Sequence, residues 1–125
     1  MEVAVRRTLE GVSELEHALH PPFGMIDVPG ENDTVVSGAW CYGWALDDSG
    51  IAQVRVSFDE GPDVPTAIHQ PHPGVPEAHP GYPENATAGF GFAIAPLPPG
   101  PHTLKVLFVG RDGGKTELQR RIIVR

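Results

Sequence analysis

After Phe23 the apolar residues of the chain recur every second position, the period of a strand whose alternate side chains face opposite ways. In "IAQVRVSFD", Val54, Val56 and Phe58 share one side while Gln53, Arg55 and Ser57 share the other, which describes a half-buried strand. The same alternation runs through "GFGFAIAP" with Phe90, Phe92 and Ile94, through "HTLKVLFVG" with Leu104, Val106 and Phe108, and through "KTELQRRIIVR" with Leu118, Ile122 and Val124. "AWCYGWAL", a first strand around Met25 to Val28 and a short one around Val64 to His69 bring the expectation to about seven strands. Between them stand "DDSG", "EGPD", "PLPPG" and "RDGG", clusters of Gly, Pro, Asp and Ser whose backbone preferences end strands. "RDGGK" predicts a hairpin turn, because Gly113 and Gly114 take positive φ without a Cβ clash. Short alternating strands without a strong helix between them predict an all-β chain folded as an antiparallel sandwich, with a closed barrel as the alternative.

Residues 1–23 follow a different period. Leu9, Val12, Leu15 and Leu19 recur at helical spacing, Ser13 and Glu16 form a capping-box pair, and Pro21 and Pro22 stop the helix. The division expected is a linker with a short amphipathic helix over 1–23 and the sandwich over 24–125. At 125 residues the chain is long enough to bury a core without staples. Its single cysteine, Cys41, has no partner for an internal disulfide. A thiol of another chain is the remaining pairing. No stretch reaches the length of a membrane-spanning helix and the first residues lack the apolar run of a signal peptide, so the chain as given is expected to be cytoplasmic and not membrane-inserted.

Charge changes the picture of partners. Gly24 to Leu104 holds ten acids against Arg55 alone, whereas Lys105 to Arg125 holds six bases against two acids, within a net charge of -7. An acidic body repels a phosphate backbone, and the basic residues alternate with apolar ones along a strand, so nucleic acid is not an expected partner.

Candidate chemistry concentrates in two places. "HQPHPGVPEAHPGYPEN" puts His69, His72 and His79 into a proline-rich connection with the spacing of three metal ligands, with Glu77 as an oxygen donor. Thiolates are absent there and the prolines forbid the helix that turns such ligands to one side. The alternative is a semi-rigid connection in which Val75, Pro76, Pro80, Tyr82 and Pro83 cover an open end or edge of the sandwich, or in which an exposed face binds a ligand. The second place is Trp40, Tyr42 and Trp44, alternate residues that share one face of a strand. Outward they form a sugar-stacking platform; inward they are core, which the need of a small domain to bury its nine aromatics favours. "DDSG" offers carboxylates to calcium but reads better as a tight turn with Gly50 relieving strain. Asn32 and Asn85 head glycosylation-type triplets. No nucleophile elbow or phosphate-cradling glycine loop is present, so neither catalysis nor a cofactor is expected.

"GMIDVPGENDTVVSGAWCYGWALDDSGIAQVRVSFDEG", "AGFGFAIAPLPPGPHTLKVLFVGRDGG" and "RRIIVR" together resemble the bacterial immunoglobulin-like domains that serve as accessory modules in larger proteins, over about residues 24–125. The resemblance implies an immunoglobulin-like sandwich without catalytic residues of its own, accompanying glycosyltransferase-like, methyltransferase-like or carbohydrate-active domains. It also implies Arg, Asp and an aromatic at loop positions held here by His72, Gly74 and His79. The function expected is a non-enzymatic module that positions a neighbouring domain or a glycan. Its rivals are a carbohydrate-binding module using Trp40, Tyr42, Trp44 or Tyr82, and a metal site on the loop histidines. Sheet edges and the amphipathic helix make a homodimer a further expectation.

Overall fold

The computed structural model describes residues 20–125, in which nine strands form two sheets. They are β1 (Phe23–Val28), β2 (Asp33–Val35), β3 (Trp40–Leu46), β4 (Ile51–Phe58), β5 (Val64–Pro65), β6 (Ala67–Gln70), β7 (Gly89–Ala93), β8 (Gly100–Gly110) and β9 (Lys115–Val124). The first sheet has the order β1-β3-β7-β6 and the second β2-β9-β8-β4-β5. Both have open edges, so the fold is a sandwich and not a barrel. All ladders are antiparallel except that of β2 with β9.

The inward residues are those the alternation points to. Val54 and Val56 of β4, Phe90 and Phe92 of β7, Leu104, Val106 and Phe108 of β8, and Ile122 and Val124 of β9 are all buried in one core with Ile26, Cys41, Ala45 and Ile94. Phe90 packs edge-on against Phe108 with ring centroids 5.7 Å apart, joining the two sheets.

Two short elements depart from the sequence reading. The stretch from Val64 to His69 is two strands rather than one: β5 pairs with β4 in the second sheet, and after Thr66 the chain crosses to pair as β6 with β7 in the first. Thr66 holds the crossing by donating its amide and its hydroxyl to the Val54 carbonyl, each at 2.9 Å. The proline-rich connection, expected to lack a helix, contains one turn, α1 (Val75–Ala78). Pro76 sits in its first turn, where the missing amide has no helical acceptor to lose. At the β8–β9 hairpin only Gly113 takes positive φ (+92°); a Cβ on Gly114 would sit tightly, 3.2 Å from Asp112 Oδ1 and 3.3 Å from Pro22 Cδ. The N-terminal amphipathic pattern falls outside the described residues.

The proline-rich connection adds a partial third layer. Leu46, Val75 and Ala88 form a second buried cluster with Phe23, Trp44 and Tyr82 against it. Leu46 lies on the face of β3 opposite Ala45 and Cys41, so this cluster covers one end of the first sheet's outer face. The other end of that face stays open. It carries Trp40 and Tyr42.

Candidate functional site

On β3 the residues Trp40, Tyr42 and Trp44 point away from the core, whereas Cys41, Gly43 and Ala45 point into it. The expectation that the aromatics are core is therefore corrected. The reason is space: a Cβ on Gly43 would lie 2.8 Å from the Phe90 ring and 2.0 Å from the Met25 carbonyl. Phenylalanines of β7 and β8 fill the interior beneath β3, and only small residues fit there.

The outward aromatics are not equivalent. Trp44 is half-buried among loop rings, 5.0 Å from the His79 ring centroid and 5.9 Å from that of Phe23, which is itself 5.3 Å from Tyr82. Trp40 is 58% exposed and Tyr42 45%. Their cross-strand neighbours on β7 are small: Trp40 faces Ala93, Tyr42 faces Gly91 and Trp44 faces Gly89. The absent side chains leave a trough alongside the aromatic row. Trp40 leans into it until its ring edge lies over Gly91, where a Cβ would come within 2.3 Å of Cζ2.

Two concavities meet at Trp40. One, of about 530 Å³, opens where the chain passes from β5 to β6 and is walled by Val56, Phe58, Val64, Phe92 and Leu97. These walls are apolar. The other, of about 250 Å³, lies between Tyr42 and the Pro71–His72 segment, floored by Gly89 and Gly91. Its rim is polar, formed by Gln70 and His72.

His72 anchors the connection across the sheet. Its Nε2 donates to Asp27 Oδ2 on β1 at 2.6 Å. The position where the family resemblance implies Arg thus still pairs with a carboxylate. His79, at a position implied to be aromatic, joins the Phe23, Trp44 and Tyr82 ring cluster. His69 turns elsewhere, with Nδ1 2.9 Å from Glu84 Oε2. The three loop histidines therefore go to three partners, and among the described residues no three His, Cys, Asp or Glu side chains come together as a metal site. This corrects the metal reading. His72 and His79 flank the turn α1 and His69 lies in β6, so each ring meets a different part of the fold.

Other groups singled out in the sequence are structural. Cys41 is buried and desolvation pushes its thiol up to about 11, so the thiolate needed for exchange with another chain is disfavoured. "DDSG" forms a turn: Gly50 takes φ of +90°, and Asp47 Oδ2 accepts from the Ser49 amide at 3.1 Å. His102 has an acceptor at each ring nitrogen, the Asp59 carboxylate at Nδ1 and the Pro98 carbonyl at Nε2, 2.7 Å away. These contacts raise the His102 pKa, and the His102 bond together with the Thr103 amide lowers that of Asp59. Sequence reasoning did not single out the pair, since forty-odd residues separate its members.

No protein-family model matches the sequence, and neither does any curated protein. Solved structures do match. The fibronectin(III)-like modules of Clostridium thermocellum CbhA align at 18% identity over 85% of this chain and 47% of that one, with a TM-score of 0.55. The fold is an immunoglobulin-like sandwich. Dimeric latent PorU from Porphyromonas gingivalis aligns at 12% identity, 91% and 11% coverage and a TM-score of 0.62. The endo-β-1,4-mannanase from Thermotoga petrophila aligns at 12% identity, 83% and 20% coverage and a TM-score of 0.60. This immunoglobulin-like chain spans a fifth of the mannanase and about a tenth of PorU. At such identities the likeness is one of fold. Among the described residues, no helix is long and apolar enough to cross a membrane.

Proposed function

We propose that the chain is a non-enzymatic interaction module that docks a partner polypeptide on the uncovered end of its first sheet. The observation that carries this reading is Trp40, 58% exposed beside an apolar groove of about 530 Å³. A large aromatic set next to an apolar concavity is the arrangement of an interface anchor. Val64, 51% exposed, lies on the same groove and enlarges the apolar area that a partner would cover. β5 is only two residues long, so a partner reaches the groove at a sheet edge little protected by main-chain pairing. Similar folds occur as a fifth or less of the mannanase and PorU chains, which supports a module attached to something larger.

The test is surface plasmon resonance against the protein that co-purifies with the chain, using Trp40→Ala and Val64→Asp. Each variant is expected to weaken binding at least tenfold, about 1.4 kcal/mol, with an unchanged circular dichroism spectrum. Undiminished affinity in both would contradict the reading. So would hydrolase or transferase turnover by the isolated chain that a single substitution abolishes.

A further inference from the structure

The smaller concavity differs from the apolar groove in the chemistry of its walls, and that difference selects a ligand. We propose that the trough between Tyr42, Trp40 and the Pro71–His72 segment binds an uncharged pyranose unit of a glycan.

Its floor is backbone. Gly89 and Gly91 present no side chains, and the Trp40 ring edge rests over Gly91 while the residue stays 58% exposed, so much of the indole is left to a ligand. Tyr42 stands beside it, 45% exposed. The negative π faces of such rings attract the polarised C–H groups on the apolar side of a sugar ring. Hydroxyls need partners at the sugar's edge, and the opposite wall supplies them. Gln70 spends its Nε2 on the Ile68 carbonyl at 3.0 Å, and among the described residues its Oε1 accepts no bond. Asp27 lies behind this wall and accepts from His72 through Oδ2, which fixes the His72 ring at the rim.

This wall is built before any ligand arrives. Pro71 has a fixed φ, and His72 is tied to Asp27 across the sheet at 2.6 Å. Preorganisation of this kind lowers the entropy cost of binding. A volume of about 250 Å³ is below the ~300–1,000 Å³ of drug-sized sites and suits one sugar ring with the chain leaving at either end. Charge excludes the anionic alternatives. The Asp27 carboxylate is bonded to His72 on the wall, and the body from Gly24 to Leu104 is strongly acidic, so uronic acids and phosphorylated sugars are disfavoured.

The experiment is an amide and indole NMR titration of the whole chain with four probes: β-1,4-linked mannotetraose, β-1,4-linked glucotetraose, xylotetraose and tetragalacturonate. At least one neutral tetrasaccharide is expected to shift the Trp40 indole and Gly91 amide signals, with tetragalacturonate binding at least tenfold more weakly. Tyr42→Ala is expected to lower that affinity at least tenfold and Gln70→Ala severalfold, while Val64→Asp, in the apolar groove only, leaves it unchanged. Failure of polypeptide docking appears as undiminished partner affinity in Val64→Asp, and failure of the sugar site as undiminished sugar affinity in Tyr42→Ala. Absence of shifts with all three neutral probes at 10-millimolar excess would overturn the proposal, as would equal binding by Tyr42→Ala. Shifts at Gly91 produced only by a proline-rich peptide would overturn it too, since that ligand also lies on exposed aromatics.

Discussion

Glycine at position 91 and glycine at position 43 are both hemmed in, yet adding a methyl group has different consequences at each. At Gly91 the nearest atom is the outer edge of the Trp40 indole, at 2.3 Å, and an exposed side chain can swing away. Gly91→Ala is expected to cost less than about 1 kcal/mol of stability while shifting Trp40 emission to the red and weakening the binding of both proposed ligands. At Gly43 the nearest atom is the Met25 carbonyl, at 2.0 Å, a backbone group in the β1–β3 ladder. Gly43→Ala is expected to cost about 2–4 kcal/mol in urea unfolding, because the strand has to separate or the core overfill. Histidine 102 makes a residue-scale prediction about pH. Its pKa is raised in the folded state by the Asp59 carboxylate and the Pro98 carbonyl. Its contribution to stability is therefore complete below the unfolded value of about 6.5 and is lost as pH rises through the higher folded value. Asp59, lowered by His102 and the Thr103 amide, contributes above its unfolded value of about 3.8 and loses that contribution as pH falls below it. Denaturation midpoints should form a plateau between these limits, and His102→Gln should abolish the decline on the alkaline side. A decline that persists in the variant would assign it to another group.

The proline-rich connection behaves as a cover for one end of a sheet and not as a free loop. Its decisive contact is Leu46, on the outward side of β3 yet 1% exposed beneath Val75 and beside Ala88. Outward residues of a bare sheet tolerate truncation, so Leu46→Ala separates the two descriptions. A loss of about 2–4 kcal/mol is expected, the cost of a buried leucine, and a loss under about 0.5 kcal/mol would mean that the cover is absent in solution. The element scale is also where sequence reading succeeds best and fails most informatively. Period-two runs located the long strands because their inward positions, such as Leu104, Val106 and Phe108, are the ones without solvent exposure. The switch of sheets at Thr66 left no trace in that pattern, since β5 and β6 together resemble one strand and only long-range pairing divides them. Pattern alone also shows that Trp40, Tyr42 and Trp44 share a face without saying which. The missed signal lay in their neighbours: the alternating Cys41, Gly43 and Ala45 are too small to form one wall of a core unless larger residues fill it from elsewhere, as Phe90 and Phe108 do.

At the scale of the whole molecule, the outer face of the first sheet has two differently finished ends, one sealed by a ring cluster and the other left with Trp40 and Tyr42 in solvent. An isolated fold does not need exposed aromatics beside an apolar groove, and the proposed docking rests on this asymmetry. The loop histidines were not legible as anchors because their partners, Asp27 and Glu84 among them, are set by the way the connection crosses the sheet. Hydroxyl-radical footprinting of the isolated chain tests the arrangement most directly. Trp40 and Tyr42 should be oxidised rapidly and Phe90 and Phe108 protected, with Trp44 between them. Protection of Trp40 in the free chain, or rapid oxidation of Phe90, would contradict it.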